Sequence, residues 1–90
     1  MIEATKTTVR DYILREFLPG ENPAVLTDLT PLVTGGILNS LAILKLVDFL
    51  EEKFGIEIEA HETDLEHFNT ITNIAALVHT KIVKSEQAGQ

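Results

Sequence analysis

Ninety residues provide one domain with a single modest core, too small for an enclosed active site together with a cofactor-binding fold. An apolar fraction of 44% argues against disorder, and the absence of cysteine excludes disulfides, thiolate metal sites and a thiol nucleophile. The net charge of −7 is concentrated: eight of the 14 acidic residues lie between Asp48 and Glu66, against one base, Lys53. Such a face disfavours nucleic acid and anionic membranes and favours basic protein partners. The N-terminus lacks an apolar signal-like segment, and no apolar run approaches membrane-spanning length. The expectation is a cytoplasmic protein, monomeric by default.

Residues from about 4 to 18 form an amphipathic helix, with Val9, Tyr12, Ile13, Leu14, Phe17 and Leu18 recurring at three-to-four spacing. Pro19-Gly20 stops it. A long connection from Glu21 to Asn39 follows, with Pro23, Pro31 and Gly35-Gly36. Connections of this length in a small domain are usually functional. Leu26, Leu29, Leu32 and Ile37 are expected to pin it to the core.

The strongest helix runs from Ser40 to Phe54 and ends at Gly55. At about 100° per residue, Ile43, Leu46, Val47, Leu50 and Phe54 share a core stripe. Leu41 and Leu44 fall well round from it, beside Asp48, Glu51 and Glu52, as a small contact patch on the solvent face. Phe49 lies on another flank, where the long connection is expected to cover it. Ile56-Glu57-Ile58-Glu59 alternates like a strand but has no partner strand, so it reads as an extended link with both isoleucines inward. Glu62–Phe68 allows one short helix anchored by Leu65 and Phe68. Thr70 then caps a last helix through about Val83 that buries Ile71, Ile74, Leu77, Val78 and Ile82. Lys81 and Lys84 are expected to complement its dipole. Residues 1–84 make the domain and 85–90 a flexible tail. The fold class is all-α: three main helices, one short one, and a long first loop.

Little in the chain points to catalysis. His61, His67 and His79 have no spacing that singles out a serine, and no Gly-x-Ser-x-Gly turn is present. His61, Glu62, Asp64 and His67 lack a helical i, i+4 histidine pair, so they read as surface and no metal site is assigned. Ser40 is the exception. It stands at the mouth of the strongest helix, where unpaired N–H groups favour an attached anion. It shares with Asn39 the simpler role of helix cap, which either side chain can fill.

Residues 36–58 (GILNSLAILKLVDFLEEKFGIEI) resemble the acyl and peptidyl carrier proteins, whose signature is Asp-Ser-Leu at the start of the second helix. The stretch from Asp64 to Ile71 is similar to that family's short third helix and the entry to its fourth. The resemblance spans roughly residues 5–83. It implies a four-helix bundle of the carrier type, with 4′-phosphopantetheine attached covalently to Ser40 from coenzyme A by a phosphopantetheinyl transferase. Acyl or aminoacyl groups would ride on the arm as thioesters, loaded by an adenylate-forming ligase and passed to downstream biosynthetic enzymes. The protein itself would catalyse nothing. Leu41, Leu44, Asp48, Glu51 and Glu52 would face those partners. Asn39 departs from the family's usual aspartate, keeping its shape and losing its charge. Lys45 departs from a position that is often acidic. The helix's lysines favour specialised metabolism over housekeeping fatty-acid synthesis. The alternative is a carrier-like adaptor, never modified, that binds through its acidic helix; a small Ser40 hydrolase is a third reading.

Overall fold

The computed structural model describes residues 2–88, with side chains described as far as Lys84. Four helices follow one another: α1 (Ile2–Phe17), α2 (Ser40–Phe54), α3 (Leu65–Phe68) and α4 (Ile71–Ala88). Single 3-10 turns occupy Pro23–Val25 and Ala60–Glu62, and no strand occurs among the described residues, so the all-α expectation holds.

The helical periodicity has its expected consequence. In α1, Val9 and Ile13 are wholly buried and Tyr12 nearly so, with α4 the main partner. In α2, Leu46 and Leu50 form the centre of the core stripe, and in α4 Ile71, Ile74 and Val78 do so, together with Ala75. Ile43 and Phe54 are only half-buried at its margins. Gly55 ends α2 in the left-handed conformation at φ 65°, where a Cβ is disfavoured. Ile56 and Ile58 both turn inward, and Ile58 N–H donates to Glu51 Oε2 at 2.8 Å, fixing the extended link against α2.

The long loop is organised by polar groups. Asn69 accepts the N–H groups of Val33 and Thr34 on its Oδ1 at 2.9 and 3.0 Å, and that of Leu32 on its backbone carbonyl at 2.7 Å. Leu32 O in turn accepts from Ile37 and Leu38, closing a tight turn. A Cβ on Gly35 would lie 2.2 Å from Pro31 O, so that turn requires glycine. Leu26, Leu32 and Leu38 are buried beneath it.

Several expectations are corrected. Leu29 does not pin the loop: it is 73% exposed. Asp28 beside it is held by Arg10 and by Lys6, and Thr27 and Thr30 close a hydroxyl-bonded turn that leaves Leu29 outside. Phe49 is covered by α1 instead of the connection, stacking on Tyr12 with ring centroids 4.0 Å apart. The short helix is split, because Asp64 adopts an extended backbone and its side chain accepts from His67 N–H to start α3 afresh. Phe68 is buried, whereas Leu65, the first residue of that new turn, is 50% exposed. Thr70 caps α4 as expected, accepting from Asn73 N–H at 3.1 Å, but the helix runs on past Val83 to Ala88. Lys84 to Ala88 contains no helix breaker, and Lys, Glu, Gln and Ala are strong helix formers. Gly89 and Gln90, the end of the expected tail, lie outside the described residues. Lys81 thus sits inside α4, where it pairs with Glu62 at 2.5 Å and ties the 3-10 turn to the bundle.

Replacing Asn69 by alanine leaves two loop N–H groups without their acceptor and is expected to cost about 1–3 kcal/mol in chemical denaturation. Asn69→Asp, which keeps the acceptor oxygen, is expected to restore most of that loss.

Candidate functional site

The start of α2 divides its work between two adjacent residues. Asn39 has an extended backbone (φ −98°, ψ −176°), and its Oδ1 accepts from Ala42 N–H at 2.8 Å. Its carbonyl accepts from Ile43 N–H at 2.9 Å. The cap that sequence left open between two residues is therefore Asn39 alone. Ser40 is the first helical residue, exposed, and its hydroxyl has no hydrogen-bond partner among the described residues. The amides of Ser40 and Leu41 precede any intrahelical acceptor, so they add positive potential at the same spot.

Ser40 stands between two open depressions of unlike chemistry. One, of about 250 Å³, is lined by Ser40, Ile43, Leu44 and Thr63. The other, of about 310 Å³, lies towards α1 and includes Asn39, Leu41, Lys45 and Glu16. Thr63 was not legible from sequence. It reaches the serine only because the link after α2 folds back, and its hydroxyl is fixed by donating to Ala60 O at 2.7 Å.

The two leucines expected on the solvent face of α2 are exposed. Leu41 and Leu44 are 62% and 61% exposed, with Asp48 and Glu52 exposed further along. Glu51 stands half-buried, its Oε2 committed to the Ile58 amide. Apolar side chains next to the serine and carboxylates beyond them make a surface suited to a basic partner.

The histidine and carboxylate cluster is divided. His67 Nδ1 lies 2.5 Å from Asp64 Oδ1, while His61 approaches Glu59 at 3.9 Å. Glu59, His61 and Glu62 each offer a ligand atom within 4.8 Å of the others, but Glu62 already accepts from Lys81 and from the Glu59 amide. No histidine hydrogen-bonds Ser40 among the described residues, so nothing there activates its oxygen as a nucleophile. The hydrogen bond with the His67 ring holds the Asp64 carboxyl below its ordinary value of 3.8, against the opposing effect of desolvation.

Two outcomes follow. Ser40→Ala is expected to change stability by less than about 0.5 kcal/mol, whereas Asn39→Ala costs about 1 kcal/mol, the value of a helix cap. Equal losses in denaturant would mean a shared cap. The pH dependence follows the sign of the Asp64 shift. A carboxyl held low in the folded state stabilises fully above 3.8 and loses that contribution as pH falls below it. The protection of the His67 amide, its NMR exchange rate taken relative to that of an unstructured amide at the same pH, should fall through that acid window; unchanged protection would contradict it.

No helix among the described residues is long and apolar enough to cross a membrane. No family model matches the chain. The chain is 35% identical over 79 residues to the "Probable acyl carrier protein PigG" of Serratia sp. (strain ATCC 39006), covering 88% of this chain and 90% of that protein. Acyl carrier proteins hold a covalent 4′-phosphopantetheine and work with a phosphopantetheinyl transferase and biosynthetic enzymes. With a four-helix architecture, a long first loop and a serine opening the second helix, this chain belongs to the acyl carrier protein family.

Proposed function

We propose that the chain is a discrete cytoplasmic carrier that holds acyl or aminoacyl groups as thioesters on a 4′-phosphopantetheine arm at Ser40. The observation that carries the assignment is the uncommitted Ser40 hydroxyl, left free because Asn39 supplies the cap. A carrier needs its attachment oxygen exposed to a second enzyme and rigidly placed, and the first residue of a well-packed helix meets both needs. The free amides beside it favour the phosphodiester that attachment creates. The residues present therefore fit the group.

Attachment joins the serine oxygen to phosphorus as the pyrophosphate bond of coenzyme A breaks and adenosine bisphosphate leaves. The transferase supplies the base that takes the hydroxyl proton, since none is hydrogen-bonded to Ser40 among the described residues. When bound, the arm supplies a thiol, which this cysteine-free chain lacks. This chain's own contribution is presentation: tethering raises the effective concentration of the cargo at each partner. Leu41, Leu44, Asp48 and Glu52 form the partner-facing surface, with Glu51 bracing it through Ile58. An adenylate-forming ligase loads the arm, and the cargo serves specialised metabolism, in line with the resemblance and the lysines on α2.

Incubation with coenzyme A and a broad-specificity phosphopantetheinyl transferase, followed by intact-mass analysis, tests the assignment. One pantetheine is expected on the wild type and none on Ser40→Ala. Addition to both proteins, or to neither, defeats the reading; a native protein that is never modified yet binds partners would instead be an adaptor.

A further inference from the structure

The cap bond leaves one half of Asn39 unused. An amide is planar and its two corners diverge, so with Oδ1 turned to Ala42 N–H at 2.8 Å the Nδ2 group is directed away from the turn it caps. Only this orientation satisfies the Ala42 donor. Nδ2 has no hydrogen-bond partner among the described residues, and Asn39 is exposed directly beside Ser40. We propose that in the modified protein Asn39 Nδ2 donates a hydrogen bond to the phosphodiester on Ser40, making this asparagine a positioning residue for the root of the arm. The inference rests on Ser40 being the attachment residue.

The chemistry of the three groups decides the sign. A phosphodiester carries one negative charge on two unesterified oxygens, and an N–H donor to such an acceptor forms a charge-assisted bond, stronger than a neutral one. Aspartate caps a helix as well as asparagine does. With one carboxylate oxygen on Ala42, however, its second oxygen would occupy the place of Nδ2 and set like charge beside the phosphate. In the unmodified protein that same charge is favoured by the helix dipole. Asparagine therefore suits the modified state and aspartate the unmodified one. Of the charged residues lining the depression on this side, Lys45 has no carboxylate partner among the described residues, whereas Glu16 is paired with Arg15 at 3.3 Å. Lys45 favours an anion held by Asn39, and the pairing with Arg15 offsets the charge of Glu16.

The test uses ¹⁵N-labelled full-length protein, wild type and Asn39→Asp, before and after treatment with coenzyme A and transferase, with modification verified by mass. The Asn39 side-chain amide protons are expected to move downfield and to exchange more slowly once the arm is attached. The melting temperature of the modified form minus that of the unmodified form should be higher for the wild type than for Asn39→Asp by about 2–4 °C. Each difference is taken within one protein, so the separate effect of aspartate on the unmodified fold cancels. Pantetheine on Ser40 with unmoved Asn39 side-chain resonances, or with equal melting differences in the two proteins, overturns the inference. Absence of pantetheine from Ser40 overturns the carrier reading beneath it.

Discussion

The loop before α2 must bury Leu26, Leu32 and Leu38 while keeping its own backbone groups satisfied, and Asn69 makes that possible. A loop has no ladder of its own, and a buried unpaired N–H costs as much as a lost hydrogen bond. Asn69 takes three loop amides at the junction of α3 and α4, and Leu32 takes two more from Ile37 and Leu38. Those bonds fix where the loop ends, and hence the residue at which α2 begins. The position of Ser40 is thus set by a residue that belongs to another helix junction.

Given that start, the two residues at the helix mouth take complementary roles. A helix must satisfy its first amides, and a serine there would ordinarily be drawn into doing so. Asn39 relieves it. Capping falls to Asn39, so the Ser40 oxygen proposed for attachment stays exposed without loosening the helix that holds it. Replacement of the family's usual aspartate by asparagine leaves this division intact and changes only the charge at the mouth. The surface beyond is graded in the same economical way: leucines beside the serine, carboxylates further along, and Glu51 turned inward to hold the link after α2.

Much of this was legible from periodicity. The α2 stripe, its exit at Gly55, the buried face of α4, the inward Ile56 and Ile58 and the Thr70 cap all depend on residues close in sequence. The failures share a cause. Leu29 and Leu65 look like anchors by hydrophobicity, but their exposure is decided by the fixed Asp28 and by the Asp64 cap. Phe49 is covered by Tyr12, which lies on another helix. Asn69 acts across 36 positions and Thr63 approaches Ser40 only in the folded chain, so neither leaves a local pattern. At the mouth of α2, sequence placed Ser40 at the start of the helix but left the freedom of its hydroxyl open. Either residue can cap on paper, and only backbone geometry assigns the bond to Asn39.

The central claim is that Ser40 carries the arm. Fragmentation mass spectrometry of the peptide spanning Ser40, from protein isolated from its own cells, tests this most directly. The account predicts 4′-phosphopantetheine on the Ser40 oxygen; an unmodified Ser40, or an arm on any other hydroxyl, contradicts it.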